Sequence, residues 1–290
     1  MENSAAISGS VSKRSLPGKL NYNITISNGL RTIDDESIMK VEMPCSVSMT
    51  NVKDDADVYE LTFGSLIING HADGEYDQWE WLYAKIFSMN NVLLIKTDTT
   101  GKIIRVGEKT EIIKRWKEAR ADILVTFDEE EAEAIVSTMD KEFDQNLKQL
   151  YHNDTLLNFI FNDIYHQYNH EPVATPKTLL KHFGPVEVPI IEYKTLIDAN
   201  TSANTSVVNI KAAMLPDQLD MAAVNDYLAK VNHFESDEDN DYTFHYEGLY
   251  NLHTDAKYNY IEEAELKISG SFGEYFEKVS NYHIKLQANG

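Results

Sequence analysis

His166 and His170 stand four residues apart, and Asp163 precedes the first by three. On a helix that spacing turns two imidazoles toward one face. Two such histidines can hold a divalent metal, provided a further ligand and partners for the outer ring nitrogens arrive from elsewhere. The pair also lies just before Pro172, where a helix must end. Histidines at a helix C-terminus complement its dipole, so their presence there needs no metal. Asp237, Asp239 and Asp241 copy the opening of a calcium loop. Such a loop requires glycine at its sixth position and a bidentate Glu at its twelfth, and those positions hold Tyr242 and Gly248. A solvated acidic loop is the expectation.

Other chemistry is thinner still. Asp98-Thr99-Thr100-Gly101 imitates the Asp-Thr-Gly of aspartic proteases with one residue too many. It falls between two apolar runs and reads as a hairpin turn. Cys45 is the only cysteine, which excludes an internal disulfide and a multi-cysteine metal site, and its apolar setting suits a buried, inert thiol. Phosphate-binding glycine patterns, a zinc-protease helix and a nucleophile elbow are absent. A catalytic carboxylate pair cannot be picked from 47 acidic residues by spacing alone. No catalytic residue is assigned and no cofactor is expected.

The tyrosines offer a surface rather than a reaction. Tyr242, Tyr246, Tyr250, Tyr258 and Tyr260 share one face if the closing strands alternate without interruption. Tyrosine joins an apolar ring to a polar tip, so this face suits a half-buried core and equally a ligand or partner surface.

The elements that position these residues follow from period. Between Met39 and Met49 every second residue is apolar, as in Val41, Met43, Cys45 and Val47, and Leu20 to Ile26 does the same. A pleated strand sends successive side chains to opposite faces, so these strands have one dry side. Tyr59–Ile67, Val92–Ile95, Ile103–Val106, Val188–Leu196, Val207–Met214, Tyr242–Tyr250, Tyr258–Ile268 and Tyr282–Leu286 extend the set. Helical spacing appears at Asp77–Phe87, at Ile112, Ile113, Trp116 and Ala119, and along Ile135, Met139, Phe143, Leu147 and Leu150 behind a capping box at Asp128 and Glu131. Asp154 caps a helix whose inner face runs Leu157, Ile160, Phe161, Ile164 and Tyr168. Thr175-Pro176 opens a short helix closed by Gly184-Pro185, and Pro216 opens another with Leu219, Ala223, Tyr227 and Val231.

Strands, then helices, then strands imply an α+β fold: an antiparallel, one-sided sheet with a central block of helices on its apolar face. Residues 1–16 are small and patternless and are expected to form a flexible arm, with 17–290 a single domain and a sub-boundary near 170–187 as the alternative.

The segments NNVLLIKTDTTGKIIRVGEKTEIIKRW and YTFHYEGLYNLHTDAKYNYIEEAELKISG resemble the hairpin-plus-helix and the closing strand pair of bacterial lipoprotein carriers. In that family a curved antiparallel sheet wraps around helices. The resemblance implies that an apolar tail or a protein segment is held in the hollow of the sheet.

The net charge of −21 repels phosphate backbones, which argues against nucleic acid, and it suits a basic protein partner or simply a well-solvated surface. No apolar run approaches the roughly 20 residues of a membrane span. The N-terminus lacks an apolar signal core, so a cytoplasmic protein is expected, or an envelope protein if a leader preceded it. The function expected is non-catalytic binding of a protein partner through the sheet hollow or the acidic rim. The alternatives are a carrier of an apolar small molecule or lipid tail, and a hydrolase with an unrecognised carboxylate site.

Overall fold

In the computed structural model, residues 6–52, 56–107, 109–184, 186–232, 242–273 and 276–288 are described. The chain runs β1 (Ser8–Ser10), β2 (Leu20–Arg31), β3 (Glu36–Val52), β4 (Asp57–Phe63), β5 (Ile67–Ile68), α1 (Gln78–Ser88), β6 (Val92–Thr97) and β7 (Ile103–Val106). The helices α2 (Lys109–Thr126), α3 (Glu129–His152) and α4 (Thr155–Ile160) follow. Next come β8 (Gln167–Asn169), β9 (Val173–Phe183), β10 (Val186–Asn200) and β11 (Thr205–Met214). The chain finishes with α5 (Met221–Asn232), β12 (Tyr242–Thr254), β13 (Asn259–Phe272) and β14 (Phe276–Leu286).

One antiparallel sheet holds all of these strands except the β1–β8 pair, in the order β7-β6-β4-β3-β2-β14-β13-β12-β11-β10-β9, with β5 also paired to β3. The sheet is open, with β7 and β9 as its two edges. The expected alternation holds in β2 and β3: Leu20, Tyr22, Ile24, Ile26, Val41, Met43, Cys45 and Val47 are all buried. Pro44 is tolerated inside β3 because it falls where β4 has ended and β5 has not begun, so no ladder bond is lost there. Its ring lies against Gly64, where an added Cβ would come within 2.5 Å of it.

Helices α1 to α4 cover the dry face. Asp77 caps α1 with a complete capping box, its carboxylate accepting from the Glu80 amide at 2.8 Å while Glu80 accepts from the Asp77 amide at 3.1 Å. Asp128 accepts from the Glu131 amide at the start of α3. Helices α2 and α3 pack through Trp116 against Phe143, with the indole N–H donating to Asp140 at 2.6 Å.

Three expectations need correction. The segment from Thr175 to Phe183 belongs to strand β9 (Val173–Phe183) rather than to a helix. Its inward residues include Thr175 and Lys177, polar because they face buried acids, so the two-residue period is hidden from hydropathy. Pro176 is acceptable because β9 is an edge. The Asp154-capped helix stops at Ile160 instead of reaching Tyr168. From Phe159 to Tyr165 every residue is buried, and a helix surrounded on all sides would leave Asn162 and Asp163 no route to their partners.

The third correction concerns the arm. Its described part, residues 6–16, is stitched into the core: β1 pairs with β8, and the Val11 amide donates to the His166 carbonyl at 2.9 Å. Arg14 is buried, its guanidinium lying over the rings of Tyr59 and Phe161 and donating to the Ile160 carbonyl at 3.0 Å. Sheet pairing also runs straight through the suggested sub-boundary, between β9 and β10.

Candidate functional site

The dry face of the sheet divides into a filled part and a hollow part. Where α1, α3 and α4 stand off from β2, β3, β13 and β14, they enclose a cavity of about 750 Å³. Ile26, Met39 and Ile268 line it from the sheet, and Tyr83, Phe87, Met139, Leu150 and Leu157 from the helices. That volume lies within the range of sites that take drug-sized ligands.

The polar groups of this wall are unevenly distributed. The acids are committed to local structure: Asp77 caps α1, and Asp154 caps α4 by accepting from the Leu157 amide at 2.8 Å. Glu80 accepts from Asn69 and contacts His71, each at 2.9 Å. Lys278 on β14 and His182 near the end of β9 also line the wall, with Ser280 and Asn28. Burial pushes the Lys278 ammonium below its ordinary value, and burial followed by Lys278 pushes His182 down to about 3.

The filled part holds a buried charge network. Glu192 and Lys194 project from β10 on the parity of Val188 and Ile190, so they point to the dry side. Lys194 sits 2.8 Å from Asp163 and 3.1 Å from Glu192, and Lys177 lies 2.8 Å from Glu192 and 3.4 Å from Asp163. Two ammoniums thus face two carboxylates. Thr175 donates to Asp163, Tyr246 donates to Glu192, and Asn162 joins Lys177 to the Tyr250 hydroxyl.

Burial alone would raise the Asp163 and Glu192 carboxyls, yet Lys177 and Lys194 beside them hold both below the usual range. Burial, reinforced by Glu192, drives the Tyr246 hydroxyl far up. A recess of about 70 Å³ reaches this network between Lys102, His152 and Asn158. A hydrolase with a carboxylate site needs converging acids whose pKa values are raised; Asp163 and Glu192 converge here but are held low, which makes them weak bases.

The residues picked from sequence are scattered. Tyr246 and Tyr250 are buried in the network, while Tyr242 is exposed at the start of β12. Tyr258 lies in the β12–β13 turn under Lys257. Tyr260 stacks on His253 with ring centres 4.8 Å apart, on the outer face. The cause is a bulge: Asn251 pairs with Glu263 and Leu252 with Ile261, so Glu262 is an extra residue that flips the parity of everything before it. The five tyrosines therefore do not share a face.

His166 and His170 are not on a helix. His166 contacts its neighbouring Asp163 carbonyl at 2.8 Å, and His170 sits in a turn with a left-handed backbone, φ 60°. Among the described residues no group of three or more His, Cys, Asp or Glu side chains is placed to hold a metal. Asp237, Asp239 and Asp241 lie outside the described residues. Asp98–Gly101 is the expected hairpin turn, with Asp98 accepting from the Thr100 and Lys102 amides. Cys45 is buried, and burial pushes its thiol up to about 12.

Sequence reasoning missed Lys278, His182, Lys177, Glu192 and Lys194. The signal for three of them was parity. Extending Ile284 and Tyr282 backwards by twos reaches Ser280 and Lys278, and extending Ile190 forwards reaches Glu192 and Lys194. A charge on the dry parity of a strand is the mark of a site or a buried pair.

No family model matches the sequence, and no curated protein does. Two solved structures align with most of the chain at low similarity. One, described as lipid-protein interactions in lipovitellin, aligns over 94% of this chain and 25% of that chain, with 7% identity and a TM-score of 0.49. The present chain thus spans about a quarter of that protein's length. The other, an outer membrane lipoprotein-sorting protein domain from Vibrio parahaemolyticus, aligns over 93% of this chain and 86% of that one, with 9% identity and a TM-score of 0.19. No specific identification follows. Among the described residues no helix is long and apolar enough to cross a membrane.

Proposed function

We propose that this protein is a non-catalytic carrier that holds an apolar chain between its sheet and its helices. The observation that supports the reading is the cavity of about 750 Å³ lined by Ile26, Met39, Phe87, Met139 and Ile268. An apolar chain entering it trades water contact for dispersion contact at roughly 0.8 kcal/mol per buried methylene. A protein partner remains the alternative, and it rests on the net charge of −21 together with the missing catalytic motif.

Titration with the apolar dye 1-N-phenylnaphthylamine tests the reading. Its emission is expected to rise and saturate with one dye per chain. Met139→Trp, which places an indole in the cavity, is expected to weaken binding at least tenfold while the far-ultraviolet spectrum is unchanged. Native mass spectrometry of freshly purified protein is expected to show a lipid-sized adduct. An unresponsive dye together with an adduct-free mass would overturn the proposal.

A further inference from the structure

The sheet edge at β7 carries a charge pattern that runs against the sign of the chain. Lys96, Arg105, Lys109, Lys148 and His152 line a cleft of about 520 Å³ between β7, the start of α2 and the end of α3. A second cleft, of about 730 Å³, continues past Lys102 and shares Ile103, Ile104, Lys148 and His152 with the first. Among the described residues of both linings, Asp98 is the single carboxylate. It is held in the β6–β7 turn, where it accepts from the Thr100 and Lys102 amides. A chain with 47 acidic and 26 basic residues thus surrounds one acid with a ring of cations here.

The floor under these cations is hydrocarbon. Ile103, Ile112 and Leu147 are buried beneath the cleft, and Ile104 is 44% exposed at its lip. Ile104 stands out because Thr97 pairs with Ile103 and Lys96 with Arg105, which leaves it as the extra residue of a bulge. Burial, then Lys102, Lys148 and Lys177, lower the His152 imidazole, so ammoniums converge on it from the β6–β7 turn, from α3 and from β9. Tyr151 is the only described residue that lines both this cleft and the large cavity. It is buried, and its hydroxyl donates to Asn90 at 2.6 Å, so it stands as a partition between the two spaces.

The negative charge of the remaining surface does not reach far, because at physiological salt it decays over about 8 Å. A molecule in the cleft meets the cations beside it more strongly than the acids beyond.

From this cationic rim over an apolar floor we infer a second binding site, for a small anion with a compact apolar body. The shared chemistry is a carboxylate or phosphate on a ring-sized hydrocarbon. Its acid group lies against Lys102 and Lys148, and its hydrocarbon on Ile103, Ile104 and Leu147. The site is separate from the carrier reading and does not depend on it. A space of about 520 Å³ is within the range that takes drug-sized ligands.

Calorimetric titration of the full chain with 1-naphthoate, 1-naphthyl phosphate and 1-naphthol is the test. One or both anions are expected to bind once per chain and at least fivefold more tightly than the neutral naphthol, and the tighter anion identifies the acid group. Acetate and inorganic phosphate are expected to bind at least tenfold more weakly than the naphthyl acid with the same group. An exposed charge contributes roughly 1.5-fold to fivefold, so Lys102→Met combined with Lys148→Met is expected to remove most of the anion preference. Met139→Trp, which occupies the large cavity, is expected to leave anion binding within twofold.

Equal binding of the anions and naphthol overturns the site. Acetate or phosphate binding as tightly as its naphthyl counterpart overturns the part played by the apolar floor. A preference that survives the double variant, or disappears in Met139→Trp, overturns the placement in this cleft. Lys102 and Lys148 are both exposed, and the comparison within the unaltered protein requires no variant at all. None of these outcomes touches the carrier reading, which stands or falls with the dye.

Discussion

The two parts of the dry face differ in how they treat charge. At β9, β10 and β12, the inward Lys177, Lys194, Asp163 and Glu192 lie within 2.8–3.4 Å of opposite charges and fill the space they occupy. At β2, β13 and β14, the dry face borders a cavity of about 750 Å³ lined by Ile26, Met39 and Ile268. The same sheet therefore closes one part of its interior with paired charges and leaves another part open. A buried, hydrogen-bonded quartet fixes register and geometry at little net gain over hydrocarbon, whereas an apolar hollow leaves room for a ligand.

The sharpest way to break the filled part is Lys194→Met. It leaves Glu192 and Asp163 buried with one counter-charge between them and is expected to cost about 3–5 kcal/mol in urea unfolding. Adding Glu192→Met in the same chain is expected to recover part of that loss, and the double-mutant cycle measures the coupling. Acid offers a second route. Asp163 and Glu192 titrate lower in the folded chain than their ordinary values of 3.8 and 4.5. The stability they contribute is complete above those values and lost as pH falls through the lowered ones. Unfolding followed by circular dichroism between pH 5 and about pH 2 is expected to show that loss, and Glu192→Gln to shrink it.

The hollow part is expected to tolerate change. Met139→Phe adds volume toward a space that can take it, so stability is expected to move by less than about 1.5 kcal/mol while dye affinity falls. Asp77→Ala removes the cap of α1, one wall of the cavity, at about 1 kcal/mol, read from the thermal midpoint. The smallest effect is expected outside both regions: Arg31→Gln breaks the exposed pair with Glu277 at 2.9 Å and is expected to change stability by less than about 0.5 kcal/mol.

The same contrast explains what could be read from the chain. Strands β2 and β3 were legible because Leu20–Ile26 and Val41–Val47 alternate without exception against hydrocarbon. β9 was misread because Thr175 and Lys177 face a charged interior, and an inward polar residue looks outward to any hydropathy rule. The helix after Asp154 was overextended because Leu157, Ile160, Phe161 and Ile164 have helical spacing although the chain there is irregular and buried all round. The tyrosine face failed at one inserted residue, Glu262, since a bulge is a property of two strands and cannot be seen in either alone. The cavity was beyond sequence altogether: a void is the distance between elements, and no residue encodes it.

The pairing of β2 with β14 has one more consequence. Ile24 lies beside Ile284, so the middle of the sheet joins strands from opposite ends of the described chain. During synthesis β2 and β3 emerge with their central edge bare, and the seam closes only after residue 286 has left the ribosome. Such long-range closure is slow and leaves an adhesive β-edge waiting. Loss of β14 would remove the Lys278 wall and the partner of β2 at once, so a shortened chain is expected in inclusion bodies rather than as a weaker carrier.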